Sequence, residues 1–370
     1  MRLRPLATLI ALTLALAMVA GCSVNGELHL PTGVVYPSIN PVAGTADLTV
    51  TQTFTFEGAP RTVTMVVDGP LVAGAQQAEK SVIRFGNARE NDWIEDYYPA
   101  FVFDEHQDEF FSALMGQLSG IRSASGLDDD RYVELMTAYV QSLEYRIDPV
   151  DLSPKFPVET AADGAGDCDD KALLLGGMLA REGYDVAILL FSAEKHVALG
   201  IKADGLEYRD TGYAYIETTA QGFVGMPPDT VGDGAALASE PQVIKLGKGK
   251  MSWGAGSQVT SILDAAKAAE KKAGELTARL AAADAGITPL QARAQALKSQ
   301  LESRLAAGDN SAYNSLVPTY NAAVAEYNAA VASRNQIAAE NNSVVAVHTY
   351  IVEHLDDRPG VYAYVLASPQ

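Results

Sequence analysis

An α+β fold carrying a long helical arm is what this 370-residue sequence predicts, on three observations. Residues Leu48–Val67 alternate apolar and polar with a period of two, which is a strand pattern. Apolar residues at three- and four-residue steps then run from Phe110 to Leu179, before apolar runs of strand length return between Val186 and Ile216. From Ser257 a helical period of three and four, later a strict seven, occupies almost all of the remaining chain. Helices gathered ahead of an antiparallel set of strands indicate α+β rather than a parallel α/β sheet.

Taken in order, the chain opens with Arg2 and Arg4 and an apolar run from Leu6 to Ala20, ending in Val19-Ala20-Gly21-Cys22. A basic start, a short apolar stretch and small residues before the break describe an export signal over residues 1–21. The cysteine after the small residues resembles a prokaryotic lipobox, which implies that Cys22 is the lipidation site and the first residue of the mature chain. Such a protein is expected outside the cytoplasm, lipid-anchored to the cell membrane or the outer membrane, with residues 22–46 as a Pro- and Gly-bearing tether. The formal charge of -19 argues against nucleic acid, whose phosphates it would repel.

Residues 47–127 read as an N-terminal β/α region. Leu48, Val50, Phe54 and Phe56 oppose Thr49, Thr51, Thr53 and Thr55, and Val63, Met65 and Val67 continue the period beyond Gly58-Ala59-Pro60, giving a hairpin with one buried face. Phe110, Phe111, Leu114 and Leu118 then share a helix face. Residues 128–250 form the expected catalytic unit. Its first helix carries Tyr132, Leu135, Met136, Tyr139, Val140 and Leu143, with Asp128-Asp129-Asp130 suited to the positive end of the dipole. A second helix starts at Cys168 and stops near Gly183. Val186–Phe191 reads as a strand covered on both faces, followed by strands at His196–Ile201 and Tyr213–Ile216.

Residues 256–355 are the helical coiled-coil region, and 356–370 a C-terminal tail. Val259, Ile262, Ala266, Ala269, Ala273, Leu276 and Leu280 form one stripe, and Leu290, Ala294, Leu297, Leu301 and Leu305 resume it after Gly286. Asn314, Asn321, Asn328, Asn335 and Asn342 stand seven apart. Such a ladder either lies in the seam, where each amide needs a partner, or flanks a seam of Tyr and Val; the second reading is adopted. The region is expected to be a spacer, a self-associating arm or a docking arm for an envelope partner.

With Cys22 acylated, Cys168 is the one free thiol, unusual for an exported chain and a reason to look for reactivity. It sits in Gly166-Asp167-Cys168-Asp169-Asp170-Lys171, at a helix N-terminus whose dipole lowers a thiol pKa while the three carboxylates raise it. His196 opens a later strand and Glu217 ends the next, so a nucleophile, a base and an orienting acid occur in sequence; Asp210 is the alternative orienter. Gln141 is an oxyanion candidate by chemistry alone, beside the backbone N–H of Cys168.

Tyr145, Phe156-Pro157-Val158-Glu159-Thr160, Gly166–Ala172, Gly183-Tyr184-Asp185-Val186, His196-Val197-Ala198 and Tyr215–Thr219 together resemble the transglutaminase-like superfamily, whose core is papain-like, across roughly residues 128–220. The resemblance implies Cys168 as nucleophile, His196 as general base and Glu217 as orienter, where many members have Asp. It is similar to bacterial transglutaminase-like cysteine peptidases, some of which bind calcium through carboxylates flanking the cysteine; that implies Asp167 and Asp169 as metal ligands, with no cofactor otherwise required. The expected activity is that of a cysteine peptidase or amidase on a protein or peptide substrate. The competing readings are a protein-crosslinking transglutaminase and a catalytically inactive envelope scaffold.

Overall fold

The structure is a computed structural model that describes residues 33–85, 93–147, 153–231 and 234–368. The export signal, Cys22 and the first part of the tether lie outside the described residues. Among the described residues no helix is long and apolar enough to cross a membrane. The chain is mixed α and β with a long C-terminal helical region.

Strand β1 (Gly33–Val35) comes first, then β2 (Leu48–Phe56) and β3 (Ala59–Val67) as an antiparallel hairpin. Phe54, Phe56, Val63, Met65 and Val67 face inward, as the alternation requires. Glu57 and Gly58 make its two-residue turn, both at positive φ (51° and 66°), the geometry that matches strand twist. Helix α1 (Gly69–Gln77) follows, capped by Asp68, and β4 (Ile83–Phe85) returns to pair with β1. Residues 33–46 are therefore not the free tether expected of them. Ile39 is buried at 1 % exposure, with its N–H bonded to the Asp104 carboxylate at 2.8 Å, and Val42 N–H reaches Pro70 O.

Helices α2 (Ile94–Val102), α3 (Asp108–Ser125) and α4 (Asp129–Gln141) come next. Asp128 caps α4 by accepting from Arg131 N. The two-residue strand β5 (Glu144–Tyr145), helix α5 (Pro157–Asp163) and strand β6 (Ala165–Gly166) lead into α6 (Cys168–Arg181), with β5 and β6 paired in parallel. Strands β7 (Val186–Phe191), β8 (His196–Ile201), β9 (Ala214–Ile216) and β10 (Gln242–Leu246) form one antiparallel sheet in the order β10-β7-β8-β9. Helix α6 lies across it. Gly176 permits the close approach: a Cβ there would stand 2.6 Å from Leu246 Cδ1 and 3.0 Å from Leu199 Cδ1.

One apolar core runs from Ile39 through Phe54, Phe111, Tyr139, Leu174 and Ile201 to Val361. The expected division at 127/128 is consequently not a break in packing: the hairpin, α3, α4 and α6 share their buried side chains. A smaller cluster of Leu189, Phe191, Ala198 and Tyr215 covers the sheet face away from α6.

Helix α7 (Gly256–Ala306) and helix α8 (Asn310–Glu353) pack along each other as a hairpin. Gly286 does not interrupt α7, which continues through an exposed Pro289. All five asparagines of the ladder are exposed, while Tyr313, Tyr320, Tyr327, Val317, Val324 and Val331 are half-buried towards the seam. The tail expected at 356–370 instead contains a helix, α9 (Arg358–Ala367), that folds back on α7 and α8 with Val361 fully buried.

Candidate functional site

Cys168 is the first residue of α6, placed there by a reciprocal cap. Asp167 accepts from Asp170 N–H, and Asp170 accepts from Asp167 N–H at 3.2 Å. As N1 of the helix, Cys168 has a backbone N–H with no helical carbonyl to receive it. Its thiol is half-buried and packs against the main core, which Val197 of β8 enters. That packing sets the nucleophile candidate towards the start of β8, whose first residue is His196.

The alternation of β8 divides its side chains. Val197, Leu199 and Ile201 enter the main core under α6, while Ala198 joins the cluster on the opposite face. His196 shares that opposite face, buried at 5 % exposure beside Phe191. Its Nε2 lies 2.9 Å from the Tyr215 hydroxyl, and that hydroxyl donates to Glu217 Oε2 at 3.0 Å. The imidazole and the carboxylate themselves stand 3.7 Å apart. Because the Tyr215 O–H is given to Glu217, its oxygen accepts from His196 Nε2–H. This assignment leaves Nδ1 as the basic nitrogen. Glu217 Oε1 accepts from Thr219 N–H at 2.7 Å and from the Thr219 hydroxyl, so the orienter is fixed at both oxygens.

Tyr215 was not singled out by the sequence reading. The signal was present: residues i and i+2 of a strand share a face, so Tyr215 and Glu217 had to project together beside His196. Asp210, the alternative orienter, lies exposed in a turn after Arg209, whereas His196 is met by Tyr215 and Glu217.

Gln141 requires a correction. Its Nε2 donates to Glu217 O at 2.7 Å and to Gly222 O at 3.0 Å, while its Oε1 accepts from Gly222 N–H. Both amide hydrogens are spent, so none remains for an oxyanion. Gln141 instead ties the end of α4 to the segment carrying Glu217. Lys171, fully buried, does the same from α6: its Nζ donates to Gln141 O at 3.3 Å and Leu143 O at 2.9 Å, satisfying carbonyls that α4 leaves open. Burial pulls its pKa down to about 8, partly offset by Glu217.

Electrostatics hold the resting pair neutral. Burial pushes the Cys168 thiol well above its ordinary value, Asp169 and Asp167 push it further, and the Val197 and Asp169 N–H groups pull it back in part. Burial lowers His196 from 6.5, against the opposing pull of Glu217 and Glu194. Asp169 is raised by burial and by its hydrogen bond with Asp167. Asp170 is raised to about 6 by burial and by Asp167.

Asp167, Asp169 and Asp170 present carboxylate oxygens within 4.8 Å of one another. That donor chemistry fits a hard divalent cation, whose charge would offset the crowding of the three carboxylates. Asp170 also accepts from Lys155 N–H, so Asp167 and Asp169 are the freer ligands.

Comparison with protein-family models, with curated proteins and with solved structures gives no match to this chain.

Proposed function

We propose that this chain is an exported, lipid-anchored thiol enzyme of the transglutaminase-like kind, with a papain-like core and a Cys-His-Glu site completed by Tyr215. The observation that carries the reading is the seating of Cys168 at a helix N-terminus packed on the core that β8 enters, with the first residue of β8 an imidazole held by Tyr215 and Glu217. A nucleophile, a base and the base's orienter drawn from α6, β8 and the end of β9 are the working parts of acyl transfer.

In that reaction Cys168 Sγ attacks an amide carbonyl as its proton passes to His196 Nδ1. The C–N bond then breaks, the imidazolium proton leaves with the amine, and a thioester remains. Water adds to the thioester, gives its proton to Nδ1, and releases the acid with the thiol restored. Hydrolysis is favoured over crosslinking because an extracytoplasmic site has abundant water as acceptor. The N–H of Cys168 is the oxyanion donor on this reading. Calcium, if bound by Asp167 and Asp169, supplies positive charge that lowers the thiol pKa.

A raised thiol pKa favours a second reading, an envelope scaffold that binds a partner without turnover. Alkylation of Cys168 by iodoacetamide across pH, in a Cys22→Ser chain with and without His196→Ala, separates the two. The enzyme reading expects a rate that falls with His196→Ala; a slow rate indifferent to His196 sinks it.

A further inference from the structure

The exposed segment beside the nucleophile points to how a substrate is held. Glu144, Tyr145, Arg146 and Ile147 are all exposed, yet β5 lies one strand spacing, about 4.8 Å, from the segment entering Cys168. Tyr145 is paired with Gly166, two residues before the thiol. Glu144 N–H bonds to Gly164 O at 2.9 Å and Arg146 N–H to Gly166 O at 3.0 Å. Main-chain groups alternate in direction along a strand, so the N–H and C=O of Tyr145 face the other edge. Among the described residues no hydrogen bond reaches them.

Side chains alternate too. Glu144 and Arg146 pair with each other on one face, while Tyr145, 43 % exposed, faces the other, and Ile147, 53 % exposed, follows it along the chain. The pairing of Tyr145 with Gly166, two residues before Cys168, sets this strand beside the site. An unpaired strand edge with two exposed apolar side chains is an invitation to aggregate unless something is meant to pair with it.

We infer that β5 is the substrate-binding edge, to which an extended polypeptide adds as a further strand. Its main chain bonds to the N–H and C=O of Tyr145, and an apolar side chain lies on Tyr145 and Ile147. The inference rests on the enzyme reading and narrows its substrate to unfolded or extended polypeptide. The offset of two residues between Gly166 and Cys168, about 7 Å of strand, places the attacked amide two or three residues along from the bonded one.

The test uses the full chain with Cys22→Ser and compares alkylation of Cys168 by acetyl-Val-Leu-Ala chloromethyl ketone with that by acetyl-Ala chloromethyl ketone. The longer probe is expected to react about tenfold faster, the worth of one or two added hydrogen bonds and a side-chain contact. N-methylating one backbone amide of the probe removes that gain and N-methylating its neighbour does not, because only alternate amides face the edge. Tyr145→Ala lowers the ratio of the two probe rates. Equal rates for the two probes, or equal losses at every methylated amide, overturn the edge while a His196-dependent iodoacetamide rate still stands. A thiol slow to all reagents and indifferent to His196→Ala overturns the enzyme reading and this inference together.

Discussion

Two regions of this molecule are stabilised in opposite ways. The body buries side chains from distant parts of the sequence in one core, with Phe111, Leu174, Leu199 and Trp253 at 0 % exposure. The α7–α8 hairpin, about 75 Å long by helical rise, buries few. Gly256, Val259, Ile262 and Ile351 are at its root, and beyond them only Ala269, Leu276, Leu301 and Ala323 are buried. Along its length it adds surface ion pairs, Lys272–Glu340, Arg279–Glu340, Arg334–Asp284 and Arg293–Glu326. Chemistry that depends on position to a fraction of an ångström needs the first kind of packing. Reach needs only the second. The difference assigns precision to the body and extension to the arm, and each prediction tests that division.

The largest effect is expected at the site. Cys168→Ser removes the proposed nucleophile and should abolish amide hydrolysis. His196→Ala should lower it by about 10²–10⁴, the usual worth of a general base. Glu217→Gln and Tyr215→Phe act through the imidazole, so they should change the pH profile of Cys168 alkylation as well as its rate. In the wild-type chain the acid limb from His196 should lie below pH 6.5, since burial lowers that pKa. A folded pKa below the unfolded one also means that His196 contributes stability above about pH 6.5, lost as pH falls through the folded value. An acid limb above 6.5 would contradict the burial argument. Adding Ca²⁺ should shift alkylation to lower pH, and Asp169→Asn should remove that response.

Next in size is the joint between the regions. Arg358, 6 % exposed, bonds Glu134 on α4 and Gln258 on α7, while Asp356 accepts from Glu57 and Gly58 at the hairpin turn. Arg358→Met leaves Glu134 buried alone and should cost about 3–5 kcal/mol by denaturant unfolding. Burial already raises Glu134 to about 7, despite Arg358. Its stabilising contribution is therefore present below the unfolded value of 4.5 and declines as pH rises through 7. The double variant Glu134→Leu/Arg358→Met should recover most of the loss, because no charge is then left unpaired. No recovery would mean that the pair acts through something other than desolvation.

Packing differences come third. Leu174→Ala in α6 should cost about 2–5 kcal/mol and slow Cys168 alkylation by loosening the helix that holds the thiol. Leu301→Ala, 7 % exposed and far along the arm, should cost less and leave alkylation unchanged. Equal effects on alkylation would merge the two regions into one cooperative unit.

The parts of this fold that were legible in the sequence are those with a long, unbroken period. The Leu48–Val67 alternation gave a hairpin, and the seven-residue asparagine repeat fell on the polar flank of its seam. Where a single contact decides the structure, no period exists to read. Ile39 and a few backbone bonds hold residues 33–46 against the body, and Arg358 with Val361 holds α9. Capping chemistry could have found α9, since Asp357 and Pro359 are a good N-cap and first turn. Gly286 was a misleading signal: a single glycine costs a helix only about 1 kcal/mol, and α7 continues through it and through Pro289. In the site, Cys168, His196 and Glu217 were legible by type and order. The intervening Tyr215, and the use of both Gln141 hydrogens on the backbone, depend on strand register and loop path that residue types do not encode.

The smallest effect is expected at an arm ion pair. Arg293 and Glu326 are 56 % and 54 % exposed in their side chains and join α7 to α8 at 3.0 Å. Water screens such a pair, and holding two long side chains costs entropy, so a double-mutant cycle with Arg293→Ala and Glu326→Ala should give about 0.2–1 kcal/mol. The coupling should shrink as salt rises and the Debye length falls to about 3 Å at 1 M. A coupling as large as that of Arg358 with Glu134, or one indifferent to salt, would mean that the arm is held by fixed, desolvated contacts like those of the body. The contrast between a positioning core and a reaching arm would then fail at its weakest point.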